Sequence, residues 1–151
     1  MRAVVQRVTK GQVNLIESGE VQRTISEIEQ GLVILLGIGP DDGEEQVIYL
    51  AKKISNLRIF ADEEGKTNLS VKDIGGEALL VSQFTLYADT RKGNRPSFVN
   101  AAKPEQAEPL INKFAELLRE NGVPTKLGQF GAYMQVQIEN DGPMTIILER
   151  E

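Results

Sequence analysis

The chain has 151 residues, 40% of them apolar and 26% charged, which suits one domain spanning 1–151 with a core of its own. It contains neither cysteine nor histidine, so disulfides, thiol catalysis, Ser–His or Thr–His nucleophile pairs and histidine-bound metals are all excluded. A net charge of −5 repels nucleic acid on average and argues against extended duplex binding, while leaving room for a few local phosphate contacts.

Residues 2–8 alternate apolar and polar positions and are expected to form a strand, followed by a second at Gly11–Ile16 and a weaker third at Val21–Ile25. The same alternation lacks the apolar core of a signal peptide, and no apolar run approaches the roughly 20 residues of a membrane span, so a cytoplasmic protein without membrane contact is expected. Leu32–Ile38 is nearly all aliphatic between glycines, the pattern of a strand buried on both faces. Asp41 and Asp42 offer N-cap oxygens to a helix whose apolar stripe is Val47, Leu50, Ala51, Ile54 and Leu57.

Asp62–Gly65 reads as a turn, Ala78–Tyr87 as a strong strand and residues 88–103 as a loop. That loop carries Arg91, Lys92 and Arg95, an ordinary solvated face unless phosphates come near. Pro104 suits the first turn of a second helix, which buries Ala107, Leu110, Ile111, Phe114, Leu117 and Leu118 and stops before Gly122. Two closing strands, Ala132–Ile138 and Met144–Leu148, are read as a hairpin around Asn140-Asp141-Gly142-Pro143. The expected fold is a layered α/β sandwich of the β/β/α kind, mostly antiparallel, with two amphipathic helices outside.

Two segments could carry chemistry. In Ser82-Gln83-Phe84-Thr85-Leu86, strand alternation puts Ser82, Phe84 and Leu86 on one face and Gln83, Thr85 and Tyr87 on the other. Thr85 has the form of a nucleophile, but a bare hydroxyl without a histidine to activate it is weak near neutral pH. At Gly142-Pro143, glycine allows close backbone approach and proline fixes the geometry, although Asn-Asp-Gly is also common turn chemistry.

Taken together, four segments resemble the D-aminoacyl-tRNA deacylases over the whole length of the chain. They are the opening Met-Arg-Ala-Val-Val-Gln-Arg-Val, the Ser-Gln-Phe-Thr-Leu at 82–86, the Arg-Pro-Ser-Phe at 95–98, and Gly-Ala-Tyr-Met-Gln-Val followed by Asn-Asp-Gly-Pro-Met-Thr. Met144 departs from the valine usual after Gly-Pro in that family, a change between apolar residues. The resemblance implies a homodimer that hydrolyses the ester of D-aminoacyl-tRNA without cofactor or metal, the Gly-cisPro element of each subunit entering the other's site.

On that resemblance, Gly142 and Pro143 supply carbonyls that accept the α-amino group and leave no room for an L side chain, with Arg7 orienting them. Ser82, Gln83, Phe84 and Thr85 line the ester site, while Phe130, Met134 and Ala102 lie against the terminal adenosine. The substrate's own ribose 2′-hydroxyl assists attack by water, so the protein need only orient the ester and stabilise an oxyanion with fixed N–H donors. Glycine has no side chain to exclude, which makes glycyl-tRNA a partial substrate. Two other readings stay open: a non-catalytic module that holds tRNA ends, and a small-molecule esterase with Thr85 as nucleophile.

Overall fold

The computed structural model describes residues 1–151. Its strands are β1 (Arg2–Glu17), β2 (Glu20–Ile28), β3 (Gly31–Gly37), β4 (Phe60–Ala61), β5 (Thr67–Leu69), β6 (Glu77–Ser82), β7 (Thr125–Leu127) and β8 (Met134–Glu149); its helices are α1 (Glu44–Ser55) and α2 (Pro104–Glu120). Six strands make one mixed sheet in the order β2-β1-β3-β6-β7, with β8 also paired to β1. The β1 pairings are antiparallel, and β3–β6 and β6–β7 are parallel. The two β layers of the expected sandwich are thus halves of one sheet that nearly closes. Its ends meet where Ser26 Oγ donates to the Leu127 carbonyl at 2.5 Å and Lys126 Nζ donates to the Glu27 carbonyl at 2.6 Å.

The long strand β1 organises this closure. One edge carries β8 along residues 2–15, while the other carries β3 along 2–8 and then β2 along 11–17. Two separate strands, residues 2–8 and Gly11–Ile16, were expected here, with the boundary before Gly11. The chain runs straight through, and Gly11 serves close packing instead: a Cβ there would stand 2.7 Å from Val33 Cγ2.

The strand β3 is buried on both faces, as its aliphatic run predicts. Leu32, Ile34 and Leu36 join Leu50, Ile54, Phe114 and Leu118 beneath the helices, while Val33 packs with Val8, Val13, Leu79 and Val81 on the other side. Fully burying such a side chain stabilises by about 1.5–3 kcal/mol. Leu57 of the predicted stripe lies beyond the end of α1 and is only partly buried.

Helix α1 starts differently from expectation. Its N-cap is Gly43, whose N–H is accepted by Gln46 Oε1 at 2.9 Å. The Asp42 carboxylate turns away and accepts from the Met1 amino group and the Gly39 N–H, both at 2.6 Å. Helix α2 has Pro104 in its first turn and ends before Gly122, whose φ of +88° suits glycine. No helix is long and apolar enough to cross a membrane.

Candidate active site

Strands β3 and β6 run parallel and stop together, and the chain leaves the sheet at that edge. The Gln83 N–H makes the last ladder-like bond, to the Leu36 carbonyl at 2.8 Å. A strand to Tyr87 was expected, but β6 ends at Ser82 and Phe84–Tyr87 form a short 3₁₀ turn. The alternating faces read across Ser82–Leu86 therefore do not exist beyond Ser82. Gly37 lets the turn fold close over β3, since a Cβ there would meet the Gln83 carbonyl oxygen at 3.0 Å and Leu86 Cβ at 3.1 Å. No backbone carbonyl accepts from the N–H groups of Phe84 and Thr85, as is usual at the start of a helical turn.

A groove of about 730 Å³ opens over this turn. Ser82, Gln83, Phe84 and Thr85 form one side, the start of α2 with Ala102 forms a second, and the segment Gln129–Met134 forms a third. The Ala102 N–H donates to the Ile38 carbonyl at 2.9 Å and ties the loop before α2 to the end of β3. Met134 Sδ accepts from the Gln129 N–H at 3.3 Å, holding Phe130 and Met134 at one end. At the rim, the rings of Phe84 and Phe98 meet edge to face, 5.1 Å apart. Seven residues singled out in the sequence — Ser82, Gln83, Phe84, Thr85, Ala102, Phe130 and Met134 — thus line a single groove.

The groove is poor in titratable groups: Lys103 and Tyr133 line it, and no carboxylate does. Gln83 Nε2 donates to Thr85 Oγ1, so the hydroxyl's neighbour is an amide donor rather than a base. This leaves Thr85 without the activation a nucleophile needs. Nearby Tyr87 donates to Asp42 Oδ2 at 3.3 Å; burial, reinforced by that carboxylate, pushes its phenol well above the ordinary range, so it stays protonated.

Arg7, Gly142 and Pro143 form a second cluster, outside the groove. The expected closing hairpin is absent, because both its arms belong to β8 and pair with the same strand, β1. Between Gln6↔Thr145 and Val8↔Asn140 the register slips, and residues 141–143 swell out of β8 as a bulge. Asn140 Nδ2 cinches its base, donating to the carbonyls of Arg7 and Met144, each at 2.9 Å. Arg7 braces the bulge: Nη1 donates to the Ile59 carbonyl at 2.6 Å, and Nε lies 3.2 Å from both the Asp141 carbonyl and its carboxylate. The Gly142–Pro143 bond is cis, and Gly142 has φ +123°.

Residues 141–143 are exposed. From Met134 in the groove to Asn140 at the base of the bulge, β8 extends roughly 20 Å at about 3.3 Å per residue. The element therefore stands well away from its own groove.

The basic loop is less free than its sequence suggests. Arg91 forks onto the Asp89 carboxylate, with Nε at 2.9 Å and Nη2 at 2.6 Å, and holds that carboxyl down at about 2. Lys92 and Arg95 remain as exposed cations. Sequence reasoning gave no role to Gln129, which lines the groove from an irregular segment with no pattern to mark it, nor to the Phe98 ring as a wall. Phe98 closes the Arg-Pro-Ser-Phe segment that carries the family resemblance, and that was its signal in the sequence.

The profile of the D-Tyr-tRNA(Tyr) deacylase family matches residues 4–149. The chain belongs to that family, and it is an ester hydrolase. A relative from Thermotoga petrophila, a D-aminoacyl-tRNA deacylase, is 53% identical over 99% of this chain and 97% of the relative. One of the same name from Dehalococcoides mccartyi is 57% identical over 99% of this chain and 94% of the relative. Among solved structures, a c-Myc DNA unwinding element binding protein superposes with a TM-score of 0.90 at 49% identity, covering 100% of this chain and 99% of that one. A probable eukaryotic D-amino acid tRNA deacylase shares the fold, with a TM-score of 0.79 at 16% identity over 97% of each chain.

Proposed function

We propose that residues 1–151 act as one domain that hydrolyses the ester of D-aminoacyl-tRNA, releasing the D-amino acid, and that the active unit is a homodimer. The observation that carries this reading is the separation of two parts that only a second subunit can unite. The groove has donors but no base, and the exposed, braced Gly142-Pro143 bulge lines no part of it. The partner surface is supplied by β8, whose outer edge pairs with no strand and whose Met134, Val136 and Ile138 are only partly buried.

In this reading the terminal adenosine lies against Phe130, Met134 and Ala102, with the scissile carbonyl over the free N–H groups of Phe84 and Thr85. Water attacks the carbonyl carbon, aided by the ribose 2′-hydroxyl. The oxyanion is held by the fixed N–H donors, and the ribose 3′-oxygen leaves with a proton. Gly142 and Pro143 of the partner subunit accept the α-ammonium through backbone carbonyls and exclude an L side chain, with Arg7 positioning them. Because backbone reads the α-carbon alone, many side chains pass, and glycyl-tRNA is cleaved in part. The protein works in the cytoplasm, where charged tRNA is used.

The alternative, a non-catalytic module for tRNA ends, accounts for the groove but gives no reason for the braced bulge. DNA binding, suggested by the name of one structural relative, is disfavoured by the net charge of −5. The test is release of free tyrosine from D- and L-tyrosyl-tRNA by the purified protein. Rapid release of D-tyrosine with L-tyrosyl-tRNA spared is expected; tRNA binding without release would favour the alternative.

A further inference from the structure

A second cavity of about 250 Å³ opens beside the groove, between the end of β6, the early turns of α2 and the segment after β7. Glu108 and Asn112 stand four residues apart on α2, hence on one helical face, and both line it. Ile111 and Leu127 supply apolar wall, and Ser82, Gln129 and Phe130 belong to both cavities. The hydrolysis described above uses neither Glu108 nor Asn112. The ion pair on α2 joins Lys113 to Glu116, which leaves the exposed Glu108 without a cation.

We infer that this cavity is a subsite for the pyrimidine base of the nucleotide preceding the terminal adenosine, read by Glu108 and Asn112. The inference rests on the groove holding that adenosine. Size is the first argument: at roughly 30 Å³ per water the cavity, about 250 Å³, holds the equivalent of about eight waters, room for one nucleobase. Chemistry is the second. An unpaired carboxylate repels phosphate and calls for a hydrogen-bond donor, which the exocyclic amine of a nucleobase supplies.

The pairing edge of cytosine fits that demand. Its exocyclic amine donates to a carboxylate, and its ring nitrogen and carbonyl accept from an amide such as Asn112 or Gln129. Position is the third argument. The cavity adjoins the groove at Phe130, where the adenosine sits, so a strand leaving the groove meets it next. Every tRNA ends in cytidine, cytidine, adenosine, so a cytosine subsite would serve all D-aminoacyl-tRNAs alike.

The test compares D-tyrosyl-tRNA with D-tyrosyl-adenosine, which lacks the preceding nucleotide, for the wild type, Glu108→Ala and Asn112→Ala. Each substitution is expected to raise KM for tRNA about ten-fold relative to KM for the adenosine ester. A tRNA carrying uridine before the terminal adenosine should show a similar rise with the wild type and no further rise with Glu108→Ala. An equal effect of Glu108→Ala on both substrates would overturn the inference, because the carboxylate would then meet the aminoacyl-adenosine itself. Unchanged KM for both would overturn it as well. Failure of the wild type to release D-tyrosine from either ester would instead refute the reading of the groove on which the inference rests.

Discussion

Replacing Gly142 by alanine sets a methyl group against the brace of the bulge. The new Cβ would lie 2.9 Å from Arg7 Nη2 and 3.2 Å from the Met144 nitrogen, at a φ of +123° that L side chains rarely adopt. A non-glycine residue in such a region costs about 1–3 kcal/mol. The guanidinium can yield only by straining its bonds to the Ile59 carbonyl and to Asp141, since its side chain is 15% exposed and held at both ends. Losing one such charge-assisted bond costs about 1.5–3 kcal/mol.

The bulge is therefore expected to re-aim rather than the fold to fail, with Tm lowered by several degrees. For a chain of this size, each kcal/mol corresponds to roughly 2–4 °C. Deacylation of D-tyrosyl-tRNA should fall at least ten-fold, equivalent to about 1.4 kcal/mol of transition-state stabilisation. Combining Gly142→Ala with Arg7→Ala removes the close contact, so the two losses of Tm should sum to more than the double variant shows. Thermal melts and single-turnover deacylation read both quantities. If Gly142→Ala kept the wild-type Tm and the wild-type D and L rates, the assigned role of the braced bulge would be refuted.

Three further outcomes follow from other parts of the molecule. Thr85→Ala should keep most activity, whereas a substrate ending in 2′-deoxyadenosine should react slowly; an acyl group trapped on Thr85 would contradict the water mechanism. Gly31→Ala would put a Cβ 1.9 Å from the Glu77 carbonyl oxygen, forcing β3 and β6 apart. A Tm loss well beyond that of Gly142→Ala is expected, and an unchanged melt would disprove that packing. Tyr87, whose phenol is raised above its ordinary value of 10.0, stabilises the fold below that pH, and the contribution is lost as pH rises toward its folded value. Tyr87→Phe should lower stability at pH 8 by about 0.5–1.5 kcal/mol for the lost hydrogen bond and flatten the alkaline fall; an unaltered alkaline limb in denaturant titrations would count against it.

Periodicity exposed the helices and the doubly buried β3, because their burial is one-sided or complete and leaves a regular trace in the side chains. It failed where tertiary pairing overrode local signals. Gly11 looks like punctuation, yet it is a close-packed residue inside β1, and only the position of Val33 reveals this. Asn140-Asp141-Gly142-Pro143 has the composition of a hairpin turn, but both flanking arms find the same partner strand, so the segment becomes a bulge. Phe84–Tyr87 has strand-forming side chains, and it coils because the ladder ends at Gln83 and Gly37 admits the turn. The residues of the groove were legible through motif resemblance; Gln129 was not, since its place depends on how the segment after β7 folds back.

Subunit mixing tests the proposed cross-subunit site most directly. Gly142→Ala spoils the bulge, and Ala102→Trp fills the groove; each homodimer should be nearly inactive on D-tyrosyl-tRNA. In a mixed dimer, one site combines both defects and the other combines the intact groove of one subunit with the intact bulge of its partner. The account predicts that unfolding and refolding the two variants together in equal amounts restores about a quarter of wild-type activity, since half the dimers are mixed and half their sites are intact. Mixtures no more active than the separate variants, with mixed dimers demonstrated by mass spectrometry, would show that bulge and groove do not meet across the interface.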